Sequence, residues 1–293
     1  MHSLFERRQF LTALLALGAT PLMGAAPLSS PRKSSLKVAG DRTVDIWTWK
    51  PQKRSRGVIL FFHGALSAPW KYERLIAFWV DAGFTVHAPL HVDSSDHPDR
   101  AKYPGMASWR CRIEDMHALA DTYGKRGFVA AGHSYGGLGA LTLGGALASR
   151  PEGVNRPLAD SRARMVLAFS PPGLIPALID APGYAGISVP MLLQTGTLDI
   201  PPGEKSWEGH LAAYHSAPAK GDKFALVLEG VDHYFGGGIC RPELPGPVQM
   251  DQLTVAGAIS VQMLDAYMAG NKSAQKALQS RLADRGPVLF SRK

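Results

Sequence analysis

The chain has 293 residues, is 45% hydrophobic and 19% charged, and carries a formal net charge of +8 at pH 7. That hydrophobic share suits one large domain or two small ones and excludes a polar, disordered chain. Its basic residues are scattered, apart from a stretch between Arg32 and Arg56, with no zinc-finger spacing and no basic-aromatic RNA motif, so nucleic acid is not an expected partner.

The N-terminal stretch ERRQFLTALLALGATPLMGAA sets Arg7-Arg8 ahead of Phe10-Leu11, then a short apolar run, then small residues. The run is too short to span a bilayer, which takes about 20 residues. Its basic, apolar and small-residue order is that of an export signal, and the arginine pair points to the twin-arginine type. Glu6 and Thr12 depart from the usual flanks of such a pair, and an ordinary secretory signal or an uncleaved anchor is the alternative. Residues 1–26 are therefore expected to engage the twin-arginine export machinery and to place a bacterial protein in the periplasm or outside the cell. Residues 27–35 are expected as a polar linker, and 36–293 as a single domain.

From there the chain alternates. TVDIWTW has the period of a half-exposed strand, and GVILFFHG, GFTVHAPL, GFVAAGHS, RMVLAFSP, VPMLLQTG and FALVLEG are short apolar runs bounded by Gly, Pro or charge. Such runs fit strands buried on both faces of a parallel sheet. Between them, PWKYERLIAFWVDAG places Leu75, Ile76 and Trp79 on one helical face, and RCRIEDMHALADTYG does the same for Ile113, Met116 and Leu119. A last helix is expected from about Val248 to Ala269. This alternation means an α/β fold, a mostly parallel sheet with helices on both faces.

Ligands of open α/β sheets bind beyond the carboxyl ends of the strands. Those ends carry His63-Gly64-Ala65, the loop after Leu90, Ser134, Ser170, Asp199 and His233. Gly132-His133-Ser134-Tyr135-Gly136 stands between an apolar strand and a helix rich in Gly, Ala and Leu. A sharp turn there lifts the serine hydroxyl clear of the backbone, and glycines two residues to either side relieve the crowding. Serine at its own pKa is a poor nucleophile, so it needs a base for its proton and donors for the oxyanion. The N–H of Tyr135, at the helix N-terminus, is one candidate oxyanion donor, and that of Ala65 is the other.

In these stretches the chain resembles the α/β-hydrolase fold superfamily, over roughly Val44 to Ala269. LFFHG, GHSYGG, FSPPG, ISVPMLLQTGTLD and DHYFGG bring it nearest the lidless esterase branch of dienelactone hydrolase-like, platelet-activating-factor acetylhydrolase-like and cutinase-like proteins. Ser134 stands where dienelactone hydrolase itself has Cys. The resemblance implies Ser134 as nucleophile, Asp199 as acid and His233 as base, with Asp232 and Asp180 as less well placed rivals for the acid. His133 reads as an elbow spacer, and His63 as a residue bonding its own loop. Only Pro171 to Ser188 separates two strands where many relatives insert a helical cap, so an open site is expected.

Trp70, Trp109, Trp207, Tyr234 and Phe235 are, with Tyr135, aromatic candidates for the pocket wall, although core packing is the commoner role of such residues. HVDSSDHPD, from His91 to Asp99, offers ligand types but matches no metal cage, and neither metal nor cofactor is expected. Cys111 and Cys240 are the only cysteines. In an oxidising compartment they are the right number for one disulfide, with two buried thiols as the alternative. The chemistry implied is hydrolysis of a small-molecule carboxylic ester through an acyl-enzyme. A peptidase or amidase on the same triad, or a non-catalytic binding protein, are the other readings. Acyl length, leaving alcohol and oligomeric state are not written in the sequence.

Overall fold

The computed structural model describes residues 28–293, so the export segment expected at 1–26 lies outside the described residues. Nine strands form one sheet in the order β1-β2-β4-β3-β5-β6-β7-β8-β9. They are β1 Arg32–Lys37, β2 Thr43–Trp49, β3 Gly57–Phe62, β4 Phe84–Pro89, β5 Phe128–His133, β6 Ala163–Phe169, β7 Met191–Gly196, β8 Lys223–Leu228 and β9 Val288–Arg292. Strands β3 to β8 run parallel to one another, while β1, β2 and β9 are antiparallel to their neighbours at the two edges. The helices are α1 Glu73–Asp81, α2 Met106–Tyr123, α3 Tyr135–Leu143, α4 Ala212–Ser216, α5 Met250–Tyr267 and α6 Lys272–Ser280.

Successive side chains of a strand point to opposite faces, and the core divides accordingly. Leu60 and Phe62 of β3 meet Ile113, Met116, Leu138 and Leu141 of α2 and α3. Ile59 and Phe61 of the same strand meet Leu75, Trp79, Leu253 and Met263 of α1 and α5 on the other face. With both faces covered, β4, β5, β7 and β8 are buried along their whole length and are mostly apolar, and the few polar side chains they carry are buried with them.

Two expectations change. Arg32 to Ser35 are not linker but the first part of β1, held against β2 by pairing such as Ser34 with Ile46. Cys111 and Cys240 are both free and buried. Cys111 lies on α2, whereas Cys240 belongs to the core on the α1 and α5 side, so the sheet stands between them. Burial pushes the Cys111 thiol up to about 11. The chain between β6 and β7 holds one short 3₁₀ turn, Pro182–Gly186, and no helical cap.

His87 of β4 is buried, bonds the Thr48 hydroxyl across the sheet at 2.9 Å and stacks on Tyr123 with ring centroids 3.8 Å apart. Burial, with a smaller contribution from Lys50, pushes its pKa down to about 4. An unfolded histidine titrates near ~6.5, so between those values the unfolded chain binds the extra proton and stability decreases as pH is lowered. The contribution is complete above pH ~6.5 and is lost as pH drops through ~4, about 3 kcal/mol in all. His87→Gln is expected to flatten the loss of urea-unfolding free energy across this window by about that amount.

Candidate active site

The site sits at the carboxyl edge of the parallel strands. Four of the non-glycine residues with positive φ follow strands there: Leu66 after β3, Ser134 after β5, Ser170 after β6 and Phe235 after β8. Backbone strain of this kind collects where loops present function. Ser134 has φ 53° and ψ −124°, and α3 begins at the next residue. A Cβ on Gly132 would fall 2.1 Å from the Gly136 carbonyl oxygen, and one on Gly136 would fall 2.0 Å from the Phe62 carbonyl oxygen. Only glycine permits so close an approach between the elbow and β3.

Asp199 follows β7 and is buried. Its Oδ1 accepts from His233 Nδ1 at 2.7 Å and Oδ2 accepts from Thr195 Oγ1 at 2.9 Å. A second imidazole, His210, meets the same Oδ1 through Nε2 at 2.8 Å. Burial pushes the Asp199 carboxyl up, but the hydrogen bonds and charges of His210 and His233 outweigh it and hold it well below the usual range. His233 uses Nδ1 for this contact, and its side chain stays one quarter exposed. Neither its Nε2 nor the Ser134 hydroxyl forms a hydrogen bond among the described residues.

A buried relay ties three loops together. Gly64 N–H donates to the Tyr72 oxygen at 2.9 Å, Tyr72 O–H lies 2.9 Å from His133 Nδ1, and His133 Nε2 lies 2.9 Å from the His233 carbonyl. A carbonyl only accepts, so His133 carries its proton on Nε2 and accepts from Tyr72 at Nδ1. His133 is therefore more than a spacer: it links the elbow to the backbone of His233 and to the loop after β3.

Arg112 is the other organiser. It is almost fully buried on α2 and forms a two-pronged pair with Asp93, both contacts at 2.8 Å. It also donates to the carbonyls of His63 at 2.9 Å and Gly64 at 3.3 Å, and its guanidinium lies 4.7 Å from the centre of the Tyr135 ring. A trans peptide points its N–H away from its carbonyl. Holding the Gly64 carbonyl, which His63 Nδ1 also meets at 2.7 Å, thus turns the Ala65 N–H to the opposite side. Ala65 and Tyr135 N–H have no acceptor among the described residues. Arg112 falls on the stripe of Trp109, Ile113 and Met116, and a charge on an apolar stripe is the signal that would have marked it. His210, one histidine of ten, carries no such mark.

The other expected residues are placed as follows. Trp109 and Phe235 are fully buried; Trp109 donates its ring N–H to the Ser149 carbonyl and packs 5.5 Å from Tyr135. Trp70 turns to Trp47 of β2, 4.8 Å away. Tyr234 is half-buried with its ring 5.0 Å from that of His233, and half-buried Trp207 opens the 3₁₀ turn that holds His210. Asp232 caps the N–H groups of Tyr234 and Gly236, and Asp180 that of Gly183. In the His91–Asp99 loop each charge is taken: His91 faces Asp115, Asp93 faces Arg112, Asp96 faces Lys71 and Asp99 faces Lys102. Asp199, His210 and His233 bring ligand atoms within 4.8 Å of one another. Both nitrogens, however, aim at one carboxylate oxygen at hydrogen-bond distance, and metal bonds of about 2.0–2.2 Å do not fit that fork.

Strand order, elbow and strand-end loops together define the α/β-hydrolase fold. An acylaminoacyl peptidase of Pyrococcus horikoshii superposes with a TM-score of 0.58 at 12% identity, over 80% of this chain and 42% of that one. This chain thus spans less than half the length of that peptidase. An esterase of Pyrococcus furiosus superposes with 0.54 at 16% identity, over 81% of this chain and 93% of the other. The esterase domain of a Rhodothermus marinus protein gives 0.54 at 13% identity, over 81% and 99%. No protein-family model and no curated protein sequence matches the chain.

Arg112→Met would leave Asp93 as a part-buried carboxylate without its cation. Unfolding in urea is expected to show a loss of about 3–5 kcal/mol, and the double variant Arg112→Met/Asp93→Leu to recover most of it.

Proposed function

We propose that the chain is a serine hydrolase that cleaves carboxylic esters through an acyl-enzyme. The observation that carries this reading is one arrangement: Ser134 stands on a strained strand-to-helix turn, its neighbour His133 is bonded to the backbone of His233, and the His233 Nδ1 is fixed on the buried Asp199 carboxylate. Ser134 Oγ attacks the ester carbonyl while His233 Nε2 takes its proton. The negative charge formed on the carbonyl oxygen is met by the N–H groups of Ala65 and Tyr135. His233 passes the proton to the leaving alcohol and then takes one from water; the hydroxide adds to the acyl carbon, the bond to Ser134 Oγ breaks to release the acid, and His233 returns the proton to Ser134. Asp199 fixes the imidazole tautomer and balances its positive charge.

The short 171–188 connection, with no helical cap, favours an open site and esters that do not need a lid to be displaced. With the twin-arginine reading of residues 1–26, the enzyme would act after export, in the periplasm or outside the cell.

The test is a series of p-nitrophenyl esters from acetyl to long acyl, run beside the matching anilides and a fluorophosphonate label. Ester turnover is expected, falling by about 10⁴-fold or more in Ser134→Ala and by a similar factor in Asp199→Asn, with labelling lost in Ser134→Ala. Anilide turnover at rates matching the esters would instead make it an amidase. Neither turnover nor labelling would make it a binding protein.

A further inference from the structure

Asp199 holds one more imidazole than a triad requires. His210 lies in the 3₁₀ turn Trp207–Leu211 and is 2% exposed. Its Nε2 meets Asp199 Oδ1 at 2.8 Å, and its Nδ1 meets the carbonyl oxygen of Pro171 at 2.6 Å. A peptide carbonyl has no hydrogen to give, and neither has an ionised carboxylate. A neutral imidazole carries one N–H, so it would set a bare lone pair against one of these oxygens at contact distance. Both contacts are hydrogen bonds only if both ring nitrogens bear hydrogen.

We propose that His210 is an imidazolium that neutralises Asp199, a positioning residue that sets the lower end of the pH range over which His233 acts as a base. The proposal rests on the triad reading of Ser134, His233 and Asp199. Asp199 and His210 then form a buried pair of zero net charge. When His233 accepts the Ser134 proton, it becomes the second cation on one carboxylate, with its ring 5.8 Å from that of His210. The proton is therefore held less tightly than a lone Asp199 would hold it, and His233 stays in its basic form to lower pH.

The other titratable groups around the pair do not take over this role. The His133 ring, 4.6 Å from that of His233, is held neutral by burial, its two nitrogens committed to Tyr72 and to the His233 carbonyl. Tyr234 stands edge-on to His233. On the outer side, Tyr184 donates to the carbonyl of Gly173, and Glu204 packs against the backbone of Gly209. Asp232 is turned onto its own loop.

Two measurements on the full chain test the proposal. In the first, kcat/KM on p-nitrophenyl acetate is followed from pH 5 to 9 for the unmodified chain and for His210→Gln, which is neutral. The acidic limb is expected to move up by about one pH unit, so that the variant loses about tenfold on that limb relative to its own plateau. A purely structural role would lower the whole curve and leave the limb in place, and that result overturns the proposal. In the second, ¹⁵N-imidazole spectra of the Ser134→Ala chain, assigned with His210→Gln, are expected to show both His210 nitrogens protonated at pH 7. A neutral imidazole there overturns the proposal even if the variant folds poorly. Absence of ester turnover and of fluorophosphonate labelling in the unmodified chain would remove the triad reading instead, and the spectra would still decide the state of His210.

Discussion

A buried guanidinium holds the site in register. Arg112 reaches from α2 across the top of the sheet to the carbonyls of His63 and Gly64, and it lies over the ring of Tyr135. Those contacts touch the loop after β3 and the first turn of α3, the two places from which the proposed mechanism draws its oxyanion donors. A charge inside a protein is tolerated only when paired and fully hydrogen-bonded. Asp93 supplies the pairing, and the carbonyls of His63 and Gly64 accept from two further donors. Asp93 is itself held well below the usual carboxylate range; burial pushes it up, but Arg112 outweighs that. The cost of burying the pair is thus tied to a geometry, because the donors find their acceptors only when the loop is correctly folded.

The same economy of contacts appears on the other side of the elbow. Tyr72 and His133 join the Gly64 amide to the His233 carbonyl, so the loops after β3, β5 and β8 cannot shift independently. His63 Nε2 accepts from the backbone of His91, and His91 Nδ1 faces Asp115, which also meets Arg42. His91 Nε2 is buried without a partner among the described residues. It is a lone pair rather than an N–H, consistent with its proton sitting on Nδ1 against the carboxylate. Preorganisation of this kind lets donors act on developing charge without first rearranging.

The parallel strands and the elbow were legible because their signals are local. Seven apolar or alternating runs appear as β2 to β8, and GHSYG needs only its own glycines to make the turn. The order of Ser134, Asp199 and His233 along the chain was readable as a pattern, and two of these residues are brought together by strand ends far apart in sequence. What stayed hidden depends on distant partners. The strand β1 has the composition of a linker and is a strand because β2 offers it an edge. VLFSR of β9 is too short and too polar at its end to signal itself, and α6 buries a single side chain, Leu278. The aromatic residues were read as pocket wall by type, but Trp109 and Phe235 are core, since exposure is decided by neighbours that sequence spacing does not give. His210 and Arg112 belong to the same group, as their roles exist only through the Pro171, Gly64 and Asp199 oxygens they face.

The two rims of the sheet carry a further implication. An open sheet ends in rows of unused N–H and C=O groups, onto which a strand of another molecule can add. Here one rim is β1, RKSSLK, with exposed Lys33 forming an ion pair to Asp45. The opposite rim, β9, ends in Arg292, which pairs with Asp222, and Lys293 follows it. Charged side chains thus stand on both rims, and charge on an edge strand disfavours the addition of another strand. The two rims thereby resist the edge-to-edge growth that an uncharged sheet of nine strands would invite.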